Sequence, residues 1–351
     1  MKICNFVQTI LPVTRFLPMK QIRAFIISMI LLFSACHSDK SLYIPDPEKS
    51  VPPQPLTIHR YDSALFSIRP DYLKQELAPL AEQYYFFLGP DWSDTINLIN
   101  LSLFINDPNI RRLSSLVQKR YADLKPLKSD LENKLSRYRS YFPEKPSPIV
   151  YTYISGLNVE MPVLFTDSAM AIGIDMFLGN DQVIYREGSI PEYKIARMTQ
   201  AYIVPECMKA VAGNVIVADA DDQTLLNKMI TTGKVLYFLD AIFPDLADNM
   251  KIGYTTEQLE WCRVNEENIW KFLIGNQLLY NSEPAAASKL MADGPFTSGF
   301  DEQSPGRLGA WVGWQIVRAY ASHNQDLSLR QIMQATRAQE ILEESKYKPG
   351  R

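Results

Sequence analysis

The chain has 351 residues, of which 46% are hydrophobic and 11% aromatic, a composition typical of a globular protein with a buried core. The formal net charge of −3 at pH 7 excludes the basic excess expected of a nucleic-acid-binding protein or of a protein held on anionic lipid by charge alone. Four cysteines in a chain of this length exclude a disulfide framework.

Residues 1–36 carry the pattern of a lipoprotein secretion signal. An uncharged apolar run, residues 24–35, follows Arg23 and ends directly before Cys36. The run is much shorter than the ~20 apolar residues that a membrane-spanning helix needs, and a basic segment before a short apolar one is typical of a cleaved signal. A cysteine directly after the cleavage site accepts the lipid of lipoproteins, because the anchor is attached through its sulfur. We therefore predict removal of residues 1–35 and lipidation of Cys36, with palmitate as an acyl chain.

Two alternatives concern the same segment. An ordinary signal peptide that ends near a cysteine by chance would leave no lipid, and a membrane-spanning helix would stay in place. The start of the chain is also open, because Met19 heads a shorter and more typical basic segment than Met1.

A proline-rich stretch follows the predicted anchor. Residues 36–55 contain five prolines among polar residues, a composition that favours an extended linker of about 3 Å per residue. Such a linker would hold the folded part a few nanometres from the membrane. We therefore place the globular domain at residues 56–349.

Residues 56–142 are predicted to be mainly helical, because apolar residues recur at helical spacing. One helix runs near residues 73–84 and is interrupted or bent at Pro79. Asp107-Pro108 predicts the start of a second helix, since proline favours the first helical position. A stripe of apolar residues marks a third helix over residues 127–138.

Strands are predicted in the middle of the chain. Three short segments rich in apolar, β-branched and aromatic residues, 149–154, 163–165 and 170–174, have the composition of strands. Their close spacing favours a small, mainly antiparallel sheet. The predicted fold class is therefore α+β, a helix-rich single domain with this small sheet.

Helical periodicity returns after residue 190. Two capping boxes, Thr255 with Gln258 and Ser328 with Gln331, predict helix starts. Pro205 is predicted to kink or end the first helix of this region. The predicted helices cover residues 191–204, 222–243, 256–280, 305–322 and 329–345.

Motifs of catalysis are absent from the sequence. The histidines His37, His59 and His323 lack the spacing of a zinc site. No Cys-x-x-Cys, Gly-x-Ser-x-Gly, P-loop or Gly-x-Gly-x-x-Gly pattern occurs. We therefore predict no catalytic residue, no metal, no cofactor and no enzymatic activity. Carboxylate pairs stay open, because glycosidase acids follow no spacing rule. The carboxylate candidates are Asp175, Glu192, Glu206, Glu266 and Glu267.

Cys207 and Cys262 are the cysteines within the predicted domain. They would either pair in an oxidising compartment or remain as two separate buried thiols. The sequence favours neither alternative.

The segment from Ser304 to Tyr320 is apolar on nearly all sides when it is drawn as a helix, which is typical of a helix inside a core. Gly309 and Gly313 lie one turn apart, and two glycines in one helix indicate an element packed closely against its backbone. The alternative is an aromatic ligand site. The candidates for a cleft or for core packing are Arg307, Trp311, Trp314 and Glu266, and core packing is the favoured interpretation.

Four segments carry a family resemblance. They are residues 171–179, residues 252–270, residues 304–317 and residues 341–349. They resemble the GldB family of gliding-motility lipoproteins of Bacteroidota. The resemblance spans most of residues 56–349 and is most specific in its C-terminal third.

The resemblance implies a role in the cell envelope. Motile members of the family need this protein for surface gliding, together with envelope machinery linked to type IX secretion. The implied partners are the membrane, through the lipid anchor, and envelope proteins of that gliding and secretion machinery, with no nucleic acid. The implied location is the inner or outer membrane, with the globular domain in the periplasm.

The family is also distantly similar to predicted zinc peptidases of the zincin type. Residues 195–204 stand where those peptidases carry a helix with paired histidines, and Arg197 to Ala201 replace the pair. The resemblance thus implies a degenerate zincin-like fold. We expect a non-enzymatic docking or scaffold protein. The alternatives are an envelope hydrolase with a lost or atypical active site and a peptide- or glycan-binding module.

Overall fold

The structure is a computed structural model, and it describes residues 42–350. The residues from Tyr43 onward form one compact unit. The predicted signal segment and Cys36 lie outside the described residues. Four strands are present in the described part: β1 Ile58–Arg60, β2 Ile149–Tyr153, β3 Val163–Phe165 and β4 Ala169–Gly173.

Helices make up most of the described part of the chain. In the first half they are α1 Tyr61–Ser67, α2 Leu73–Leu77, α3 Tyr85–Leu88, α4 Thr95–Asn106, α5 Pro108–Arg120 and α6 Lys125–Tyr141. In the second half they are α7 Val183–Glu187, α8 Glu192–Ile195, α9 Ile203–Gly213, α10 Leu225–Ile242, α11 Asp248–Ile252, α12 Thr256–Val264, α13 Glu266–Gly275, α14 Pro284–Met291, α15 Leu308–His323, α16 Leu329–Gln334 and α17 Ala338–Ser345. The predicted α+β class is confirmed.

The strands form one sheet in the order β1-β2-β4-β3. β2 pairs in parallel with both β1 and β4, whereas β3 pairs antiparallel with β4. The sheet is therefore mixed, and the prediction of a mainly antiparallel sheet is wrong. The reason is that the chain reverses direction twice between β2 and β4, once before β3 and once after it, so β4 runs parallel to β2. β1 was not predicted, because three residues are too few to show alternation.

Both faces of the sheet are covered. Val150, Met170 and Ile172 lie in the main core, whereas their chain neighbours Tyr151 and Ala171 lie in a second, smaller core. This division follows from the alternation of side chains along a strand. α1 to α4 supply most of the second core. Because both faces are buried, β4 has the continuous apolar sequence of an internal parallel strand.

The main core is organised around the crossing of α10 and α15. A Cβ at Gly313 would lie 1.9 Å from the carbonyl oxygen of Met229, and one at Gly233 would lie 2.3 Å from the carbonyl carbon of Gly313. The two backbones therefore touch, which confirms that the glycines of α15 accommodate a closely packed element. Trp311 and Trp314 are buried beside this contact, at 2% and 0% exposure.

A buried ionic network joins these helices to α11. Asp240 of α10 accepts hydrogen bonds from Lys251 Nζ, Trp314 Nε1 and Arg318 Nε, each at 2.8 Å. Arg318 also donates to both carboxylate oxygens of Asp248 at 2.8 Å. Every charge in the network has a partner, as buried charges require.

The segment before β1, which we call the strap (residues 43–55), lies against the body. Tyr237 Oη donates to the carbonyl of Tyr43 at 2.8 Å, and Val51 N donates to Ser140 Oγ at 3.2 Å. Arg330 of α16 donates a hydrogen bond to the carboxylate of Glu48 in the strap. The strap has no regular helix or strand, but it is no free spacer. The linker prediction therefore fails for residues 43–55, because backbone groups that water was expected to solvate are bonded to α6 and α10.

Several predicted helices are confirmed, and others differ at their ends. α5 begins at Pro108 and is capped by Asp107, whose carboxylate accepts from the amides of Asn109 and Ile110. Both capping boxes are present with both of their hydrogen bonds. The predicted helix 256–280 is divided at Asn265. The predicted helix 305–322 begins later, at Leu308.

The predicted helix 191–204 is wrong. α8 ends at Ile195, the chain then opens, and a new helical segment starts at Gln200. Pro205 does not end a helix but lies in the first turn of α9, where a missing amide hydrogen costs no bond. Residues 195–204, expected to form one zincin-type helix, are therefore divided among the end of α8, a short loop, the helical turn Gln200–Tyr202 and the start of α9.

The two domain cysteines are separate. Cys207 and Cys262 are both free and buried at 0% exposure. Burial raises the pKa of each thiol well above its usual range. Of the two alternatives, the structure thus has two buried thiols.

Candidate functional site

A cleft with two chambers lies where α8, α9, α14 and the start of α15 meet. The chambers have volumes of about 220 and 390 Å³, and both are lined by Arg197 and Asp293. The smaller chamber is otherwise lined by Val159, Glu160, Pro162, Met176, Phe177, Lys194, Met198 and Glu206. The larger chamber is lined mainly by Tyr193, Tyr202, Gly253, Tyr254, Gly294, Pro305, Gly306 and Arg307.

Asp293 is the carboxylate shared by the two chambers. It follows α14 and accepts from Arg197 Nη2 at 2.5 Å, while Arg307 Nε lies 3.2 Å from its other oxygen. Arg307 Nη2 donates to the carbonyl of Ile252 at 2.6 Å. One carboxylate thus holds two guanidinium groups that are distant in sequence.

The backbone around Arg307 is fixed by Tyr254. The buried hydroxyl of Tyr254 donates to the carbonyl of Gly306 at 2.6 Å and lies 3.2 Å from that of Arg307. The backbone of Arg307 has φ 60° and ψ 37°, the left-handed region that residues other than glycine rarely adopt. Gly253 has φ +78°, and a Cβ there would lie 2.7 Å from Cδ of Arg197. Glycine at 253 therefore leaves room for the Arg197 side chain.

A second ion pair lies on α9 at the wall of the smaller chamber. Lys209 Nζ lies 2.8 Å from Glu206 Oε1, one helical turn away. Burial raises the pKa of Glu206, but the nearby cations Lys209, Arg197 and Arg307 lower it by more. The pKa of Glu206 therefore lies below its usual value. Glu206 is therefore a carboxylate at neutral pH. Burial lowers the pKa of Lys209, which Glu206 opposes.

The residues singled out from the sequence do not form one site. Arg307 lies in the cleft, whereas Trp311 and Trp314 are in the core and Trp314 donates to Asp240. Glu266 accepts from Tyr347 Oη at 2.7 Å, and burial raises the pKa of its carboxyl group.

The other carboxylate candidates have separate surroundings. Asp175 is buried and accepts from the amides of Ser155 and Leu157. Glu192 pairs with Arg186, and Glu267 pairs with Lys271. Two of the five carboxylate candidates line the cleft, Glu206 in the smaller chamber and Glu192 in the larger one.

Sequence reasoning missed the carboxylate of Asp293 that joins Arg307 to Arg197. Asp293 and Arg197 are 96 residues apart and belong to no motif, so no local signal joins them. His59 contacts Gln83 and His323 contacts the carbonyl of Ala319, so neither lies in the cleft. In the described part of the chain, no three His, Cys, Asp or Glu side chains are grouped so that they could hold a metal ion.

Comparison with known proteins decides the family. A family model described as gliding motility protein GldB matches residues 44–349, most of the chain. The chain belongs to the GldB family. The protein is thereby gliding-motility-associated, and the family's designation as lipoproteins implies a membrane-anchored protein of the cell envelope. No curated protein and no solved structure matches the chain. Within residues 42–350, no helix is long and apolar enough to cross a membrane.

Proposed function

We propose that this member of the GldB family is a lipid-anchored, non-enzymatic component of the cell envelope that docks with protein partners of the gliding and secretion machinery. Family membership supports the link to gliding. One observation carries the docking role, namely an exposed apolar surface on α4. The anchor at Cys36 and the periplasmic position of the domain are part of this proposal.

α4 is apolar on two opposite sides. Ile96, Ile99 and Leu103 are 62%, 50% and 68% exposed and follow one another at helical spacing. The other side of the helix, with Leu101 and Ile105, packs into the second core. No charged residue occurs between Thr95 and Asn106. Exposed apolar surface of this kind marks interaction sites more often than isolated exposed residues do.

The surface, which we call the α4 face (Ile96, Ile99 and Leu103), continues onto a neighbouring element. The short helix Pro70–Tyr72 contacts α4, and its Tyr72 is 48% exposed. Aromatic side chains beside aliphatic ones are typical of the centres of protein interfaces.

The charges around the α4 face indicate its occupant. Asp91, Asp94 and Asp107 flank α4 at its two ends. An anionic bilayer would be repelled by these carboxylates, whereas a protein with an apolar groove bordered by Lys or Arg would be attracted. We therefore assign the α4 face to a protein partner.

The proposal is tested by crosslinking in cells. The double variant Ile99→Asp/Leu103→Asp places charges in the α4 face, so we expect loss of the crosslinked partner and of gliding in a motile host. Val264→Asp is the matched control, because Val264 is 72% exposed at the end of α12. Both variants should melt within a few degrees of the wild type, since neither changes a buried side chain. Unchanged crosslinks and gliding in the double variant would refute docking through α4.

The hydrolase alternative makes a different prediction. An atypical metallopeptidase would retain zinc at about one ion per chain after purification, which elemental mass spectrometry measures. Our proposal expects no bound metal.

A further inference from the structure

Two guanidinium groups of the cleft depend on one carboxylate. Arg197 and Arg307 share the single carboxylate of Asp293. The other carboxylates of the cleft have cations of their own, since Glu160 pairs with Lys194, Glu206 with Lys209 and Glu192 with Arg186. Among the described residues that meet at the two chambers, one guanidinium charge is therefore left without a carboxylate of its own. Arginine pairs of this kind are suited to planar anions.

Arg307 also carries an unsatisfied donor. Its Nε is buried and makes no hydrogen bond to any described residue. Asp293 Oδ1 is 3.2 Å away, but it lies off the direction of the N–H bond. Buried donors are nearly always paired in native proteins. An acceptor from outside the chain would complete the site.

The backbone of Arg307 is held in a conformation that is energetically unfavourable for a residue other than glycine. Its left-handed φ of 60° is one that glycine would adopt without strain. The hydrogen bonds from Tyr254 hold this conformation. Strain of this kind concentrates at ligand sites, and here it sets the guanidinium group at the wall of the larger chamber.

The smaller chamber adds an apolar surface beside the guanidinium group of Arg197. Met176, Phe177, Met198 and Val159 line it, and its volume of about 220 Å³ is enough for one large apolar side chain. Inorganic anions would make no use of this surface. Sugars commonly stack on exposed tryptophan, but Trp311 and Trp314 are buried.

We propose that the cleft binds a peptide carboxylate that has an apolar side chain next to it. The carboxylate binds Arg197 and Arg307 and competes with Asp293 for them. The apolar side chain enters the smaller chamber between Met176 and Met198. The site is separate from the α4 face, so the two proposals stand or fall independently.

The test is calorimetric titration of the full chain, purified in detergent, with N-acetyl-phenylalanine and with its amide. We expect the acid to bind and the amide to bind at least 10-fold more weakly, because the amide carries no charge. Arg307→Gln should weaken binding of the acid about 10-fold or more. Arg337→Gln is the matched control, since Arg337 is a surface residue with a 73% exposed side chain, and it should bind as the wild type does.

Two further variants secure the result. Asp293→Asn removes the competing carboxylate, so it should bind the acid more tightly than the wild type. Arg197→Gln replaces Arg307→Gln if thermal melting shows that the latter is unfolded. Equal affinity for acid and amide, no binding of either, or wild-type affinity in both arginine variants would overturn the proposal. Binding of inorganic phosphate alone would overturn it too, because the apolar chamber would then be unused.

Discussion

Lys234 is the clearest case of a residue whose surroundings conflict with its charge. It lies on α10 with 2% exposure. Its ammonium group is directed at the carbonyls of Val217, Met333 and Ala335, and no carboxylate of the described chain pairs with it. Burial lowers its pKa from 10.5 to about 8. Its positive charge is therefore carried into the core at neutral pH.

This shift predicts a pH dependence. Between pH 8 and 10.5 the unfolded chain binds more protons at Lys234 than the folded chain, so the Lys234 contribution to the free energy of unfolding rises with pH. A shift of this size in pKa corresponds to a rise of at most about 3 kcal/mol in the free energy of unfolding. The carbonyl groups stabilise the charged form of Lys234 and make the rise smaller. In urea denaturation, the stability of Lys234→Met relative to wild type should fall across this window. The exposed control Lys271→Met should show a constant difference, and a constant difference for Lys234→Met would contradict the shift.

Single residues in the cleft show what sequence can and cannot provide. Arg307 was a candidate because of the glycines and tryptophans around it in the sequence. Its partner Asp293 was not, since nothing near Asp293 indicates that two arginines converge there. A left-handed backbone at a non-glycine residue has no sequence signature, so the geometry that makes Arg307 a ligand candidate could not be predicted.

Among the elements, α10 and α15 depend on each other through their glycines. The backbone of α15 at Gly313 touches that of α10 at Met229. Two helices that pack at this distance leave no space for a methyl group, so only glycine fits at the point of contact. The position of α15 in turn sets Trp314 and Arg318 on Asp240.

Gly313→Ala tests this contact. Its new methyl group would separate the helices, and we expect a loss of about 3 kcal/mol in the free energy of unfolding. Gly213→Ala is the control, because Gly213 is exposed at the end of α9 and no atom lies within 4 Å of its Cβ position. That variant should be neutral or stabilising by up to ~1 kcal/mol. Urea denaturation of both variants measures the difference, and similar stabilities would show that the helices can move apart.

Helix starts were easier to predict than helix ends. A capping box such as Thr255 with Gln258 is complete within four residues, so its signal is local. The division of the following segment at Asn265 depends on the packing of two helices against the core. The exposed α4 was missed for a related reason, since it is apolar on opposite sides and has no amphipathic pattern.

At the scale of the whole molecule, the pairing of β1 with β2 joins segments that are about 90 residues apart. Local patterns identified β2, β3 and β4, but strand order and direction depend on these long-range contacts. The fold class was therefore predictable and the sheet topology was not.

The proposed lipid anchor at Cys36 would act on the whole molecule. Cys36→Ala should move the protein from the membrane fraction to the soluble fraction without a change in melting temperature, because the residue precedes every described contact. Cys4→Ala is the matched control, since Cys4 belongs to the predicted signal. Membrane association of Cys36→Ala after carbonate washing would contradict the anchor.

Because the strap is bound to the body, only the segment between Cys36 and Tyr43 would separate the folded domain from a lipid attached at Cys36. Since Tyr43 is already bonded to Tyr237 and Gln325, only seven peptide units separate it from Cys36, and at full extension they reach about 25 Å. If Cys36 carries the proposed acyl chains, Tyr43 would stay within that radius of the lipid surface. The residues around Gln325, which Tyr43 contacts, would then stay near the membrane, whereas parts of the domain farther from Tyr43 could lie well away from it.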